Sequence, residues 1–282
     1  MTKEQVLDIH RTNKPKELLL IGGEPMILGP DYYYWLLEND VNFSMQTNLT
    51  LYTKDWDKVF SHLNFSGLSV SGDKFNSIDE FIDVFKQVRN LVPITPVVLI
   101  LMTGENKEQI LEKCNMWIDT AVVHDFILKI NYIIPTGKTL TAIDKIPKMS
   151  LVYDIYELLL TKWKDTGFHA INPFSDLMQA LISDESRVCP YIPDCLHSDG
   201  VKCIEVDGQT YDCPALGDIR VKREDLTLEY NDKCAMCDLY SLCKSCVNRS
   251  WTLTKLPDSD YCGAFKKFFA TLSSFKGELL LC

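Results

Sequence analysis

Short apolar runs alternate with amphipathic stretches along the first 167 residues. Residues 2–12 place Val6, Leu7 and His10 at helical spacing, and Asn13-Lys14-Pro15 ends the helix they predict. Residues 17–21 are apolar on both faces, which predicts a strand covered on both sides of a parallel sheet. Gly22-Gly23-Glu24-Pro25 stops it. The same reading predicts strands at residues 43–46, 67–70, 96–102 and 126–134, and helices at 32–38, 55–62, 78–89, 107–117 and 150–164. Five strands alternating with helices predict right-handed βαβ units in a parallel sheet or part-barrel, an α/β fold. Polar signals collect at the C-terminal ends of these strands, at residues 22–25, 46–48, 71–73, 103–106 and 135–138. Folds of this class place their sites there.

After residue 170 the texture changes. Ala170-Ile171-Asn172-Pro173 leads out of the regular region, and Asp207-Gly208 between two short β-like runs predicts a hairpin over residues 201–211. A cysteine-rich stretch follows, closed by a helix over residues 263–274. The expected organisation is therefore two domains, residues 1–170 and 171–282.

The cysteines change the picture most. Nine of the eleven lie between Cys189 and Cys262, and Cys234, Cys237, Cys243 and Cys246 form a C-x2-C-x5-C-x2-C run. Four thiols within thirteen residues call for a metal or for disulfide partners. The polar N-terminus has no signal-peptide core, and no stretch is long and apolar enough to span a bilayer. The expected compartment is the cytoplasm, where reduced thiols favour metal over disulfides. An odd cysteine count also fits a complete disulfide framework badly. With 46% hydrophobic and 24% charged residues, the chain has the composition of an ordinary globular protein. Its formal charge is −10 with Lys and Arg scattered, which argues against nucleic acid as a partner. On spacing alone, zinc and iron–sulfur ligation both remain open, since four cysteines serve either.

Two matches to known motifs combine here. The strand followed by Gly22-Gly23-Glu24-Pro25 resembles the GGEP motif of radical S-adenosylmethionine (radical SAM) enzymes, which implies contact between these residues and the amino group of S-adenosylmethionine. Glycines let a backbone approach a ligand closely, and a carboxylate or carbonyl can accept from an ammonium. Gln46-Thr47-Asn48 and Ser71-Gly72-Asp73 at later strand ends support the match. The second match is to the SPASM extension of radical SAM peptide maturases. Cys195, twelve residues, Gly208, four residues and Cys213 fit its first part; Cys234, Cys237 and Cys243 fit its second; Cys262 fits its last. Cys246 comes after two residues where the family has three, and Cys189 lies where related maturases place an extra ligand. The resemblance implies two auxiliary [4Fe–4S] clusters, one on Cys189, Cys195, Cys213 and Cys246, the other on Cys234, Cys237, Cys243 and Cys262. Cys203 and Cys114 read instead as packing residues, and Cys282 as a tail residue.

One departure sets the functional expectation. A radical SAM enzyme needs a C-x3-C-x2-C loop after its first strand, and this chain has no cysteine before Cys114. It opens on what resembles the family's first helix, so the expected fold is an open partial (β/α) barrel of radical SAM type missing its first strand, followed by a SPASM-type domain. The five histidines are isolated, and there is no P-loop or Gly-x-Ser-x-Gly elbow, so no catalytic residue is assigned. The expectation is a partner, binding peptide or relaying electrons, in modification of a peptide or protein, with a second chain supplying the initiating cluster. S-adenosylmethionine is a candidate ligand of the GGEP turn. An active maturase continued at its N-terminus, and a zinc-stapled binding module, are the alternatives.

Overall fold

The structure is a computed structural model that describes residues 1–103, 106–133, 146–183, 202–211, 236–239 and 260–279. It opens on α1 (Lys3–Asn13). The Thr2 hydroxyl accepts from the Gln5 amide at 3.2 Å, and the Gln5 side chain accepts from the Thr2 amide at 2.8 Å, a reciprocal cap that fixes where the helix starts. Then follow β1 (Leu18–Leu20), α2 (Pro30–Glu38), β2 (Phe43–Thr47), α3 (Asp57–Phe60), β3 (Phe65–Ser71), α4 (Ile78–Arg89), β4 (Val97–Met102) and α5 (Lys107–His124). Next come β5 (Ile127–Tyr132), α6 (Met149–Asp165), β6 (Ile171–Asn172) and α7 (Phe174–Ser183). A hairpin of β7 (Cys203–Ile204) and β8 (Thr210–Tyr211) precedes α8 (Tyr261–Ser274) and α9 (Lys276–Leu279).

The six strands lie in the order β1-β2-β3-β4-β5-β6, and β1 to β4 pair in parallel. The sequence pattern predicts five strands. The sixth, β6, is the Ile171–Asn172 segment read there as the exit from the regular region; two residues carry no periodicity to detect. α5 also runs seven residues past its expected end. Thr120, Val122 and Val123 are weak helix formers, but Ile118 and Ala121 are fully buried on this turn and packing overrides propensity. No described helix is long and apolar enough to cross a membrane.

Two compact units make up the chain: Met1–Leu101 with Val123–Lys129, and Met102–Val122 with Ile130–Cys282. In the first, successive strand residues point to opposite faces. Phe43, Met45, Leu68, Val70, Val98 and Ile100 are buried on one face, and an aromatic core continues from it. Phe43 meets Phe65 at 5.6 Å between ring centroids, Phe60 meets Phe65 at 5.3 Å and Trp56 meets Phe60 at 5.8 Å. Each such fully buried aromatic contributes roughly 1.5–3 kcal/mol. The opposite face carries Ser44 and Gln46 on β2 and Ser69 and Ser71 on β3, all half-buried. In the second unit α6 packs on α8 through Tyr153, Tyr156, Phe265 and Phe268, and Phe174 of α7 closes on Tyr156 at 5.7 Å. A Lys267–Glu157 ion pair at 2.6 Å bridges the same two helices at the surface.

Candidate functional site

β1 ends at a turn that only glycine takes without strain. Gly22 has φ +97° and Gly23 φ +56°, in the left-handed region. Both are exposed, and a Cβ built on either would meet no heavy atom within 4 Å. The two peptide units thus border open space. Glu24 returns to extended backbone and caps a short 3-10 turn, Pro25–Leu28, with its Oε1 accepting from the Met26 amide at 3.0 Å.

The Glu24 carboxylate has two further donors, both from the end of β2. The Thr47 hydroxyl donates to Oε1 at 2.5 Å, and the Asn48 amide donates to Oε2 at 2.9 Å. Thr47 is 2% exposed and also accepts from the Leu49 amide at 3.1 Å, so its hydroxyl is satisfied despite burial. Asn48 turns its side-chain oxygen onto the Thr50 amide at 2.9 Å, which shapes the loop that follows. The carboxylate therefore clasps the ends of β1 and β2 together. Of the two acceptors that the sequence offers to an ammonium group, the carboxylate is engaged by the protein through both of its oxygens, and the backbone of the Gly22-Gly23 turn is exposed. A second clasp has the same form: Asp73, just after β3, accepts from the Leu101 amide of β4 at 3.1 Å.

Tyr33 supports the turn from below. It is 2% exposed, and its hydroxyl donates to the Pro25 carbonyl at 2.7 Å. Burial first, then Tyr32 and the Glu24 carboxylate, push its phenol above the ordinary range, so it stays a donor. Tyr33→Phe removes one donor from that carbonyl, which keeps its place in the 3-10 turn, and should cost about 1 kcal/mol, read as a lowered urea midpoint. The sequence reading named Thr47 as part of a strand-end signal without its bond to Glu24, and missed Tyr33. Thr47 had a signal: it occupies the third position of the apolar face begun by Phe43 and Met45, where a hydroxyl calls for a buried partner.

Of the eight cysteines assigned to clusters, Cys237 and Cys262 lie among the described residues. Cys237 is half-buried, and Cys262 is exposed on the first turn of α8. Cys189, Cys195, Cys213, Cys234, Cys243 and Cys246 lie outside the described residues. No group of three or more metal-binding side chains occurs among the described residues. Gly208 (φ +83°) makes the expected hairpin turn: its amide donates to the Glu205 carbonyl at 2.8 Å, and the Glu205 amide donates to the Gln209 carbonyl at 2.9 Å. Cys203, in that hairpin, donates to the Glu205 carboxylate at 3.6 Å. Cys114 is 1% exposed inside α5, and burial pushes its thiol up to about 12, consistent with packing and with no reactive role.

No family model matches this chain. By sequence it is similar to a cysteine-type anaerobic sulfatase-maturating enzyme of Clostridium novyi (strain NT), with 26% identity across 88% of this chain and 78% of that protein. By structure it is similar to Streptococcus suis SuiB. The SuiB structure bound to the precursor peptide SuiA superposes with a TM-score of 0.56 at 17% identity, covering 85% of this chain and 63% of SuiB. A second SuiB structure gives 0.55 at 17% identity, covering 86% and 66%. The fold is shared, and the chain spans just under two thirds of SuiB's length.

Proposed function

We propose that this chain is a SPASM-type iron–sulfur protein on a radical-SAM-like sheet and that it takes part in modifying a peptide or protein. The carrying observation is the fit of Cys195, Gly208, Cys213, Cys234, Cys237, Cys243 and Cys262 to the SPASM spacing, with Cys246 one residue short of it and Cys189 at the place of an extra ligand, in a chain whose fold is shared with SuiB. One auxiliary [4Fe–4S] cluster is assigned to Cys189, Cys195, Cys213 and Cys246, the other to Cys234, Cys237, Cys243 and Cys262. The donor set suits them: Cys237 and Cys262 are half-buried and exposed, unlike the sealed Cys114. Such clusters, when bound, supply one-electron transfer. In this reading residues 171–282 hold them and residues 1–170 present the ligand-facing sheet.

The Gly22-Gly23 turn fits an amino-acid-like ligand, because its exposed backbone is held in place from behind by Glu24, Thr47 and Tyr33. Gly22 and Gly23 would offer carbonyls to the ammonium of S-adenosylmethionine, while Glu24 and Pro25 fix their direction. The 282 residues hold no C-x3-C-x2-C run. The radical is therefore assigned to a cluster outside them, on a second chain. Two features favour such a partner: β1 begins the strand order, and Leu19, Ile21 and Ile27 beside it are 38%, 43% and 72% exposed. The likeness to a protein named as a maturating enzyme favours one other reading, an active maturase whose cluster loop precedes Met1. In-frame upstream DNA encoding C-x3-C-x2-C would establish that reading.

The first test is metal content after purification and reconstitution without oxygen. About eight irons and eight sulfides per chain are expected, four of each per cubane. Zinc with negligible sulfide would overturn the redox assignment and leave a stapled binding module.

A further inference from the structure

The outward faces of the helices differ in kind. On α4 the exposed positions are Asp79, Glu80, Asp83, Lys86 and Gln87, all polar, as a helix that meets only water requires. α5 and α6 break that rule. Met116 and Val122 of α5 are 46% and 39% exposed, and Leu158 of α6 is 52% exposed. The buried side of each helix is already filled, by Cys114, Trp117 and Ile118 on α5 and by Tyr156, Leu159 and Leu160 on α6. Among these outward apolar positions lies an ion pair between Asp119 of α5 and Lys162 of α6. Cys114, five residues before Asp119, lies near Tyr156, six before Lys162. The two helices therefore run side by side in the same direction. Met116 is three residues before Asp119 and Leu158 four before Lys162, about 4.5 and 6 Å back along their axes, so the two apolar side chains stand nearly level.

We propose that this α5–α6 face is a contact between two copies of the chain. An isologous contact needs a self-complementary surface, and this one has an acid on one helix and a base at the same height on its neighbour. A two-fold axis running between the helices and along them sets α5 of one copy on α6 of the other. Asp119 then faces Lys162 of the second copy, twice over, and Met116 falls on Leu158 of the second copy. A two-fold axis across the helices would set Asp119 on Asp119 and Lys162 on Lys162, so charge selects the first arrangement. The chain carries a formal charge of −10, and copies repel wherever acid meets acid. At the centre of this face the two charges cancel. A partner charged throughout with one sign would gain at one of them and lose at the other. The inference is independent of the iron–sulfur reading, because none of these residues is assigned to a cluster.

The test is sedimentation velocity of the full chain over a range of concentrations, with its metal content recorded. The parent is expected to be a dimer that dissociates on dilution. Asp119→Lys makes both charges of the face positive, and Lys162→Asp makes both negative. Each variant alone should weaken the dimer at least tenfold. An equimolar mixture of the two should recover it, because every like-charge contact becomes an opposite one, and so should the double variant Asp119→Lys/Lys162→Asp. Leu158→Glu should weaken the dimer without recovery by either partner. All variants are accepted only if far-UV circular dichroism matches the parent. Three outcomes overturn the proposal: a parent that stays monomeric at every concentration, a dimer unchanged by the single charge reversals, which would place the contact on another face, or single variants that stay monomeric when mixed. A chain that holds zinc in place of iron and still shows this pattern would sink the redox reading and leave the contact standing.

Discussion

The double variant Cys237→Ala/Cys262→Ala should lose about half of the reconstituted iron and sulfide, roughly four of each per chain, while Cys195→Ala/Cys262→Ala should lose nearly all of it. The contrast follows from the interleaved assignment. Cys237 and Cys262 are given to one cluster, so the second substitution damages a site already lost; Cys195 and Cys262 are given to different clusters, so the two losses add. Cys114→Ala is the control. Its buried thiol belongs to the core of α5, and its removal should leave metal content untouched. Iron and sulfide analysis with visible absorption spectra decides the matter. Equal losses in the two double variants would mean the ligands are partitioned differently along the chain.

Glu24→Ala should destabilise the sheet unit by about 3 kcal/mol, read as a fall in the urea midpoint. It removes an acceptor shared by the Met26 amide, the Thr47 hydroxyl and the Asn48 amide, bonds of 3.0, 2.5 and 2.9 Å. Thr47 is 2% exposed, so water cannot readily replace its partner. Glu24→Gln is expected to fall between parent and alanine variant. One amide oxygen can still accept from Thr47 and Met26, but the amide nitrogen then opposes the Asn48 N–H, donor against donor. If the alanine and glutamine variants unfold together at the parent's midpoint, the clasp carries no stability and Glu24 is free to serve a ligand.

Much of the sheet unit was legible because its segments announce themselves singly. α4 occupies residues 78–89 as the pattern predicts, since Phe81, Ile82, Phe85 and Val88 return every three or four residues and Ser77 caps the start. β1 to β4 were bounded by glycine, proline and polar turns. What the pattern missed depended on partners distant in the chain. β6 is a strand only because a neighbour accepts it, and α7, with Phe174, Leu177 and Met178 at helical spacing, was hidden behind the exit expected at Pro173. The candidate site divided the same way. Gly22 and Gly23 were visible from the Gly22-Gly23-Glu24-Pro25 stretch that ends an apolar run. The roles of Glu24, Thr47 and Tyr33 were not, because each is set by a hydrogen bond to a loop that sequence distance conceals.

The two carboxylate clasps bear on how the upper edge of the sheet can deform. Glu24 joins the end of β1 to the end of β2, and Asp73 joins the end of β3 to β4. β2 and β3 between them are held by a ladder of five residue pairs that runs to Thr47 and Val70. The side-chain clasps fall where the ladders are shorter, three pairs each for β1 with β2 and β3 with β4. The strand end that carries the Gly22-Gly23 turn is thereby guarded against fraying by a carboxylate in place of further backbone pairs.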